Sequence, residues 1–292
     1  MARAEPFPVT VVVITRDRRQ SLEATLERLV GDPDGPQVVV VDNASSDGTA
    51  DAVRRRFPTV RVVGLERNLG ATARNVGVDA AAYDLIAFSD DDSWWGPGAL
   101  RVALERFRAH PRLGLLAARV LVGREERLDP VCTAMAASPL PSEPDLPGPS
   151  VLGFIACGSI VRRQAFDAAG GFSLGAGVGG EESLLAMDLA TAGWGLSYDE
   201  TVVAHHHPSA VRDAAFRSAI EVRNELLTAW LRLPLPDALS STANVLRRAS
   251  TSRTGRTGVT LALRTIPGTF RRRRPVPRLV AEHWRQVAAQ PG

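Results

Sequence analysis

Three adjacent carboxylates, Asp90, Asp91 and Asp92, directly follow the apolar run LIAFS at Leu85–Ser89. Carboxylates this close repel one another, and the cluster is costly unless a cation neutralises it. Hard oxygen ligands suit Mg2+ or Mn2+, ions that also bind diphosphate oxygens. Two more polar sets end apolar runs: Thr15, Arg16 and Asp17 follow Val9–Ile14 (VTVVVI), and Asp42 and Asn43 follow Gln37–Val41 (QVVVV). Later come a carboxylate pair, Glu181 and Glu182, and three histidines, His205–His207. Three consecutive histidines cannot all point at one ion, and those that do not are assigned to solvent or helix capping. Taken singly, the aspartates also read as a solvated turn, and the glutamates as acids favoured at a helix N-terminus.

The elements that position these residues are legible in the periodicity. Continuous apolar runs at Val9–Ile14, Gln37–Val41, Val60–Leu65 and Leu85–Ser89 predict strands buried on both faces. Helical spacing separates them, with Leu22, Leu26, Leu29 and Val30 in one stretch, and helices expected over Ala71–Ala82 and Gly98–Ala109. This β-α-β-α order implies a mostly parallel sheet with right-handed crossovers. Ligands of such a sheet bind beyond the carboxyl ends of its strands, where the polar sets lie. The five prolines from Pro139 to Pro149 predict a loop. A strand over Val151–Val161, a helix over Glu181–Ala192 and a strand over Leu196–Ala204 follow, and beyond Pro208 the pattern is helical.

Composition narrows the classes. The net charge of +3 over 292 residues gives no reason to expect nucleic acid. All the basic residues are arginine, and 15 of them stand against five acids from Ser209 to Gly292, including RRRR at Arg271–Arg274. That basic tail reads either as a peripheral contact to anionic lipid or as a solvated helical cover or oligomer contact. Cys132 and Cys157 are isolated, as in a reducing compartment. With neither an 18-residue apolar run nor a signal peptide, the expected location is the cytoplasm, with peripheral contact at the inner face of the cell membrane.

In order, the segments VVVITRDR, VVVDNASSDGT, RNLGATARNVG and IAFSDDDSWW, then GGF at Gly170–Phe172, GGEE at Gly179–Glu182 and VVAH at Val202–His205, resemble the family 2 glycosyltransferases of GT-A fold. The resemblance covers about residues 8 to 208. It implies an α/β GT-A domain over 1–208, Rossmann-like with a mostly parallel central sheet and flanking helices, and a basic, mainly helical C-terminal extension over 209–292. It implies transfer of a sugar from a UDP-, dTDP- or GDP-linked donor to a hydroxyl of a glycan, glycolipid or small molecule, with Mn2+ or Mg2+. Thr15 and Arg16 would line the nucleotide pocket, and Asp42 would bind the base. Asn68, Gly70 and Arg74 would border base and ribose, and Asp90 and Asp91 would contact the donor. Asp92 and His205 would serve the metal, and Glu181 or Glu182 would be the catalytic base. One base and no placed nucleophile imply inversion at the anomeric carbon. Trp94 and Trp95 offer faces for an acceptor sugar, or plain packing.

Two departures stand out: Glu-Glu replaces the family's Glu-Asp, and Asp17 replaces a common asparagine. A nucleotidyltransferase shares the metal carboxylates, but ITRDRRQS lacks the glycine-rich phosphate loop that class uses. A catalytically inactive sugar-nucleotide-binding scaffold is the remaining alternative.

Overall fold

The first strand, β1 (Val9–Thr15), is almost wholly valine, isoleucine and threonine, and its flanking strands bury it on both sides. The computed structural model in which it is seen describes residues 7–173, 180–208 and 214–290. After β1 come α1 (Arg19–Val30), β2 (Gln37–Asp42), α2 (Thr49–Arg56) and β3 (Arg61–Gly64). A short 3-10 turn (Gly70–Thr72) then leads into α3 (Ala73–Ala80) and β4 (Leu85–Asp90). β3, β2, β1 and β4 are neighbours in that order and all parallel. Register fixes the site: Thr15 lies beside Asp42, and Ile14 beside Asp90, so the three polar sets emerge along one edge.

α3 must approach the sheet closely to project Arg74 toward that edge. A Cβ at Gly77 would stand 2.2 Å from Val12 Cγ1, so no other residue fits there without moving the helix off β1.

The second half of the sheet is mixed. It comprises β5 (Ser93–Trp95), β6 (Leu113–Val122), β7 (Arg127–Leu128), β8 (Ser159–Arg162) and β9 (Gly195–His206). The order continues from β4 through β8, β6 and β9 to β5, with β7 paired on β6. Only β6–β9 is parallel there; β4–β8, β6–β8, β6–β7 and β5–β9 are antiparallel. The helices of this half are α4 (Ala99–Ala109), α5 (Pro130–Ala136), α6 (Arg163–Ala169) and α7 (Glu181–Thr191).

Sequence pattern misses two features here. The strand expected over Val151–Val161 is confined to Ser159–Arg162, because a 3-10 turn at Ala156–Gly158 precedes it. Gly158 presses against β6, where a Cβ would come within 2.3 Å of Val120 Cγ2. Leu113–Val122, unassigned from sequence, is a ten-residue strand at the centre of this half.

Among the described residues, four helices follow β9: α8 (Ala214–Arg232), α9 (Leu235–Ala249), α10 (Arg253–Thr269) and α11 (Arg278–Ala288). Ala229, Leu233, Ala238, Val276, Val280 and Ala281 join the main hydrophobic core, so α8, α9 and α11 share it, while Ala262 of α10 packs with Leu226 and Val245 in a smaller cluster. Arg232 forms a two-pronged ion pair with Asp188 of α7. Among the described residues, no helix is long and apolar enough to cross a membrane.

Candidate active site

The aspartate triplet forms the turn between β4 and β5, and α1 fastens it from below. Ser21 and Thr25 donate their hydroxyls to the Asp91 carbonyl, and the Asp92 carbonyl accepts the His207 N–H at 2.8 Å. Each carboxylate then has its own cationic or hydroxyl partner. Asp90 accepts from Arg74 Nη2 at 2.6 Å. Asp91 accepts from the Thr15 hydroxyl at 3.0 Å and pairs with Arg18 Nε at 3.0 Å. Asp92 pairs with Arg18 Nη2 at 2.9 Å and stands 3.3 Å from His206 Nε2. Burial pushes the Asp91 carboxyl up to about 7, against the pull of Arg18 and with Asp92 adding its repulsion.

Arg74 links this triplet to the glutamate pair. Its guanidinium is 4% exposed, bonds Asp90, lies over the Phe172 ring and comes within 3.9 Å of Glu181. Burial works against its charge, but Asp90, Glu182 and Glu181 outweigh that and hold its pKa up. Glu181 and Glu182 open α7 directly after Gly180, whose backbone is left-handed (φ 84°) and lies against Asn224 of α8. Glu181 is buried and Glu182 half-buried. Burial, then the neighbouring Glu181 charge, raise Glu182 to about 7, with Arg74 opposing. Gly179 lies outside the described residues.

Several expected residues are placed differently from the sequence reading. His206, not His205, faces Asp92. Side chains alternate along β9, so the neighbouring His205 points to the other face, to Glu126 Oε1 at 3.2 Å and onto the Trp94 ring. Thr15 is buried and gives its hydroxyl to Asp91 instead of an open nucleotide pocket. Trp95 is core at 3% exposed, and the Trp94 ring is covered by His205 and the Arg28 guanidinium, so neither presents a free sugar-stacking face. Asn68 is exposed and its side chain accepts the Gly70 N–H, while Gly70 takes a left-handed turn (φ 59°). Asp42 is buried, with one oxygen accepting the Ser45 N–H. Arg16 is half-exposed and 3.5 Å from Asp17.

Sequence reasoning missed Arg18 and Cys157, and it placed Asn43 at the strand end without giving it a role. Asn43 clamps the 69–70 turn, accepting from Leu69 N and donating to the Gly70 carbonyl. Cys157 brings its thiol, raised well above its ordinary pKa by burial, into the same space. Ligand atoms of Asp90, Cys157 and His206 lie within 4.8 Å of one another. A cleft of about 850 Å³ opens beside the triplet, lined by Arg18, Ser21, Asp47 and His207 among others. A second, of about 650 Å³, lies at the opposite ends of β1 and β4 around Pro8 and Leu85 and holds none of these groups.

The family description "Glycosyl transferase family 2" matches residues 10–170, more than half of the chain. The chain belongs to that family. As a family 2 glycosyltransferase it is 28% identical to the N-acetylglucosaminyl-diphospho-decaprenol L-rhamnosyltransferase of Mycobacterium tuberculosis, over 77% of this chain and 87% of that protein. Its fold is similar to that of the Pyrobaculum calidifontis mannosyltransferase PcManGT in complex with GDP-Man and Mn2+. The TM-score is 0.61 at 22% identity, covering 96% of this chain and 86% of that one. Residues 1–349 of Staphylococcus aureus TarS in complex with UDP-GlcNAc give a TM-score of 0.58 at 19% identity, over 93% and 82% of the two chains. These likenesses establish the GT-A fold for this glycosyltransferase.

Proposed function

We propose that this glycosyltransferase is metal-dependent and inverting, and moves a sugar from a nucleotide-diphosphate donor to an acceptor hydroxyl in cell-wall or polysaccharide assembly. The observation that carries this reading is the meeting of Asp92 and His206 at the strand edge, joined through Asp90 and Arg74 to Glu181 and Glu182.

The residues suit a divalent cation. His206 Nε2 is buried and has no hydrogen bond among the described residues, with Asp92 Oδ1 as its neighbour at 3.3 Å. Carboxylate oxygens suit Mn2+ or Mg2+, and the imidazole nitrogen beside them favours Mn2+ of the two. Asp92 and His206 would hold the ion, which when bound supplies charge to offset the departing diphosphate. Glu182 would take the acceptor hydroxyl's proton as that oxygen attacks the anomeric carbon. Glu182 is favoured over Glu181 because Glu181 is buried against Arg74, whereas Glu182 is more open and poised near 7. Arg74 holds Asp90 toward the donor, and one base without a placed nucleophile favours inversion. The relative's name supports a lipid-linked glycan acceptor, with the arginine-rich segment 209–292 as a peripheral contact to anionic lipid.

The direct test is nucleotide release from a panel of UDP-, dTDP- and GDP-sugars. One donor should be turned over, EDTA should abolish turnover and Mn2+ should restore it. NMR of the first-formed glycoside should show an anomer opposite to the donor's, and a retained configuration or EDTA-insensitive turnover would contradict the reading. The two histidines give a sharper check. His206→Ala should weaken Mn2+ binding by about 10–100-fold, as loss of groups at a metal site does. His205→Ala should leave it within about twofold, since His205 faces Glu126. Equal losses would put the imidazole ligand elsewhere.

A further inference from the structure

Arg18 lies in the turn before α1 and reaches the two carboxylates nearest the proposed metal site. Its Nε is 3.0 Å from Asp91 Oδ1 and its Nη2 is 2.9 Å from Asp92 Oδ2. The guanidinium already takes Asp92 Oδ2 and Asp91 Oδ1, so a divalent cation beside His206 has only Asp92 Oδ1 open to it and faces an adjacent positive charge across the same carboxylate. The two arginines of the site differ in their freedom to leave. Arg74 is enclosed among Asp90, Glu181 and the Phe172 ring. The Arg18 side chain is 28% exposed and borders the 850 Å³ cleft, so it has room to turn outward. The triplet does not depend on Arg18 for its shape either. Thr15, Ser21 and Thr25 hold Asp91 by three separate hydrogen bonds, and the His207 N–H holds the Asp92 carbonyl.

We propose that Arg18 is an exchangeable counter-ion: it neutralises Asp91 and Asp92 until the donor's diphosphate draws it away, so that divalent cation and donor bind cooperatively. This rests on the metal-dependent reading above. Without donor, a cation entering beside His206 is repelled by the guanidinium on the same carboxylates, and turning Arg18 outward leaves its charge uncompensated. With a nucleoside diphosphate in the cleft, the displaced guanidinium gains phosphate oxygens that it grips in the same forked manner. The cost of displacing Arg18 is thereby offset by the donor, which is a coupling between two ligands. Such coupling is reciprocal: donor must tighten metal by the same factor as metal tightens donor. Arg18 is thus a positioning residue that sets when the metal site is available.

The test is Mn2+ binding followed by the EPR signal of the free ion, with and without UDP, GDP or dTDP. It compares wild type with Arg18→Gln, Arg18→Lys, Arg19→Gln and Asp92→Asn. Wild type should bind Mn2+ weakly alone and about 10–100-fold more tightly with its nucleotide, the usual range for coupled sites. Arg18→Gln should bind Mn2+ alone more tightly by about that factor, and the nucleotide's enhancement should shrink to match. Arg18→Lys, whose single ammonium cannot span both carboxylates, should fall between and serves if the Gln variant does not fold. Arg19→Gln removes the same charge from a side chain that lines the same cleft but pairs with Glu23 and touches neither Asp91 nor Asp92, so Mn2+ binding without nucleotide should stay as in wild type. Unchanged Mn2+ affinity or unchanged enhancement in Arg18→Gln would overturn the exchange, as would an equal effect from Arg19→Gln. Loss of nucleotide-enhanced Mn2+ binding in Asp92→Asn tests the metal reading separately, so the two failures are distinguishable.

Discussion

Replacing Glu182 by Gln is expected to lower kcat by about 10²–10⁴, the range for losing a general base, with little change in the donor's KM. The amide keeps the shape of the side chain but cannot accept the hydroxyl proton, so binding survives while chemistry does not. In wild type, kcat/KM should rise with pH through about 7, because the base works only when ionised and burial holds its carboxyl near that value. The same shift has a stability consequence of definite sign. The folded pKa of about 7 lies above the ordinary 4.5, so the fold prefers the neutral form and ionisation is destabilising. Stability is therefore withheld progressively as pH rises from about 4.5 through 7. Glu182→Gln should melt higher than wild type at pH 8 and alike at pH 4, measured by thermal denaturation. A variant that is slow yet more stable at high pH separates a lost base from a damaged fold. If Glu181→Gln shows the rate loss and Glu182→Gln does not, the assignment within the pair is reversed.

The second large effect is structural and catalytic together. Arg74→Met removes the cation buried beside Asp90, Glu181 and Glu182, leaving Asp90 without its 2.6 Å partner. Breaking a buried ion pair from one side costs about 3–5 kcal/mol, because the remaining charge stays desolvated. Denaturant unfolding should show that loss at pH 7, with most of it recovered at pH 4, where the stranded carboxylates are protonated. A loss below about 1 kcal/mol, typical of exposed pairs, would mean that Arg74 is far more solvated than its 4% exposure indicates. Arg74→Lys should not rescue it, since one ammonium cannot bond Asp90 and also approach Glu181 across the Phe172 ring.

How far the sequence carried this account depends on the kind of element. The parallel half was legible because its strands are continuous β-branched runs, each ending at a polar residue. VTVVVI, QVVVV and LIAFS predict β1, β2 and β4 to within a residue, with Thr15, Asp42 and Asp90 at their ends. In the second half the run LGLLAARVLV has no turn residues to separate strand from buried helix, and β6 went unassigned. Which histidine faces Asp92 was illegible for a different reason. Which of two adjacent residues faces the site depends on strand parity, and β9 breaks its own parity against β6. Register jumps there from Ala118 opposite Asp199 to Arg119 opposite Val203. Motif order located the histidines but could not give them a face. Arg18 was hidden because a basic residue after a strand is ordinary in sequence; only coordinates show it spanning Asp91 and Asp92. Trp95 and Trp94 looked equivalent as neighbours, yet one strand step puts the first in the core and the second against His205 and Arg28.

The central claim is that Asp92 anchors a divalent cation on which donor binding depends. It is tested most directly by calorimetric titration of UDP, GDP and dTDP into wild type and Asp92→Asn, each with Mn2+ and with EDTA. One nucleotide should bind wild type with Mn2+ and lose at least about tenfold in affinity with EDTA or in Asp92→Asn. Binding of that nucleotide with equal affinity in all four conditions would contradict it.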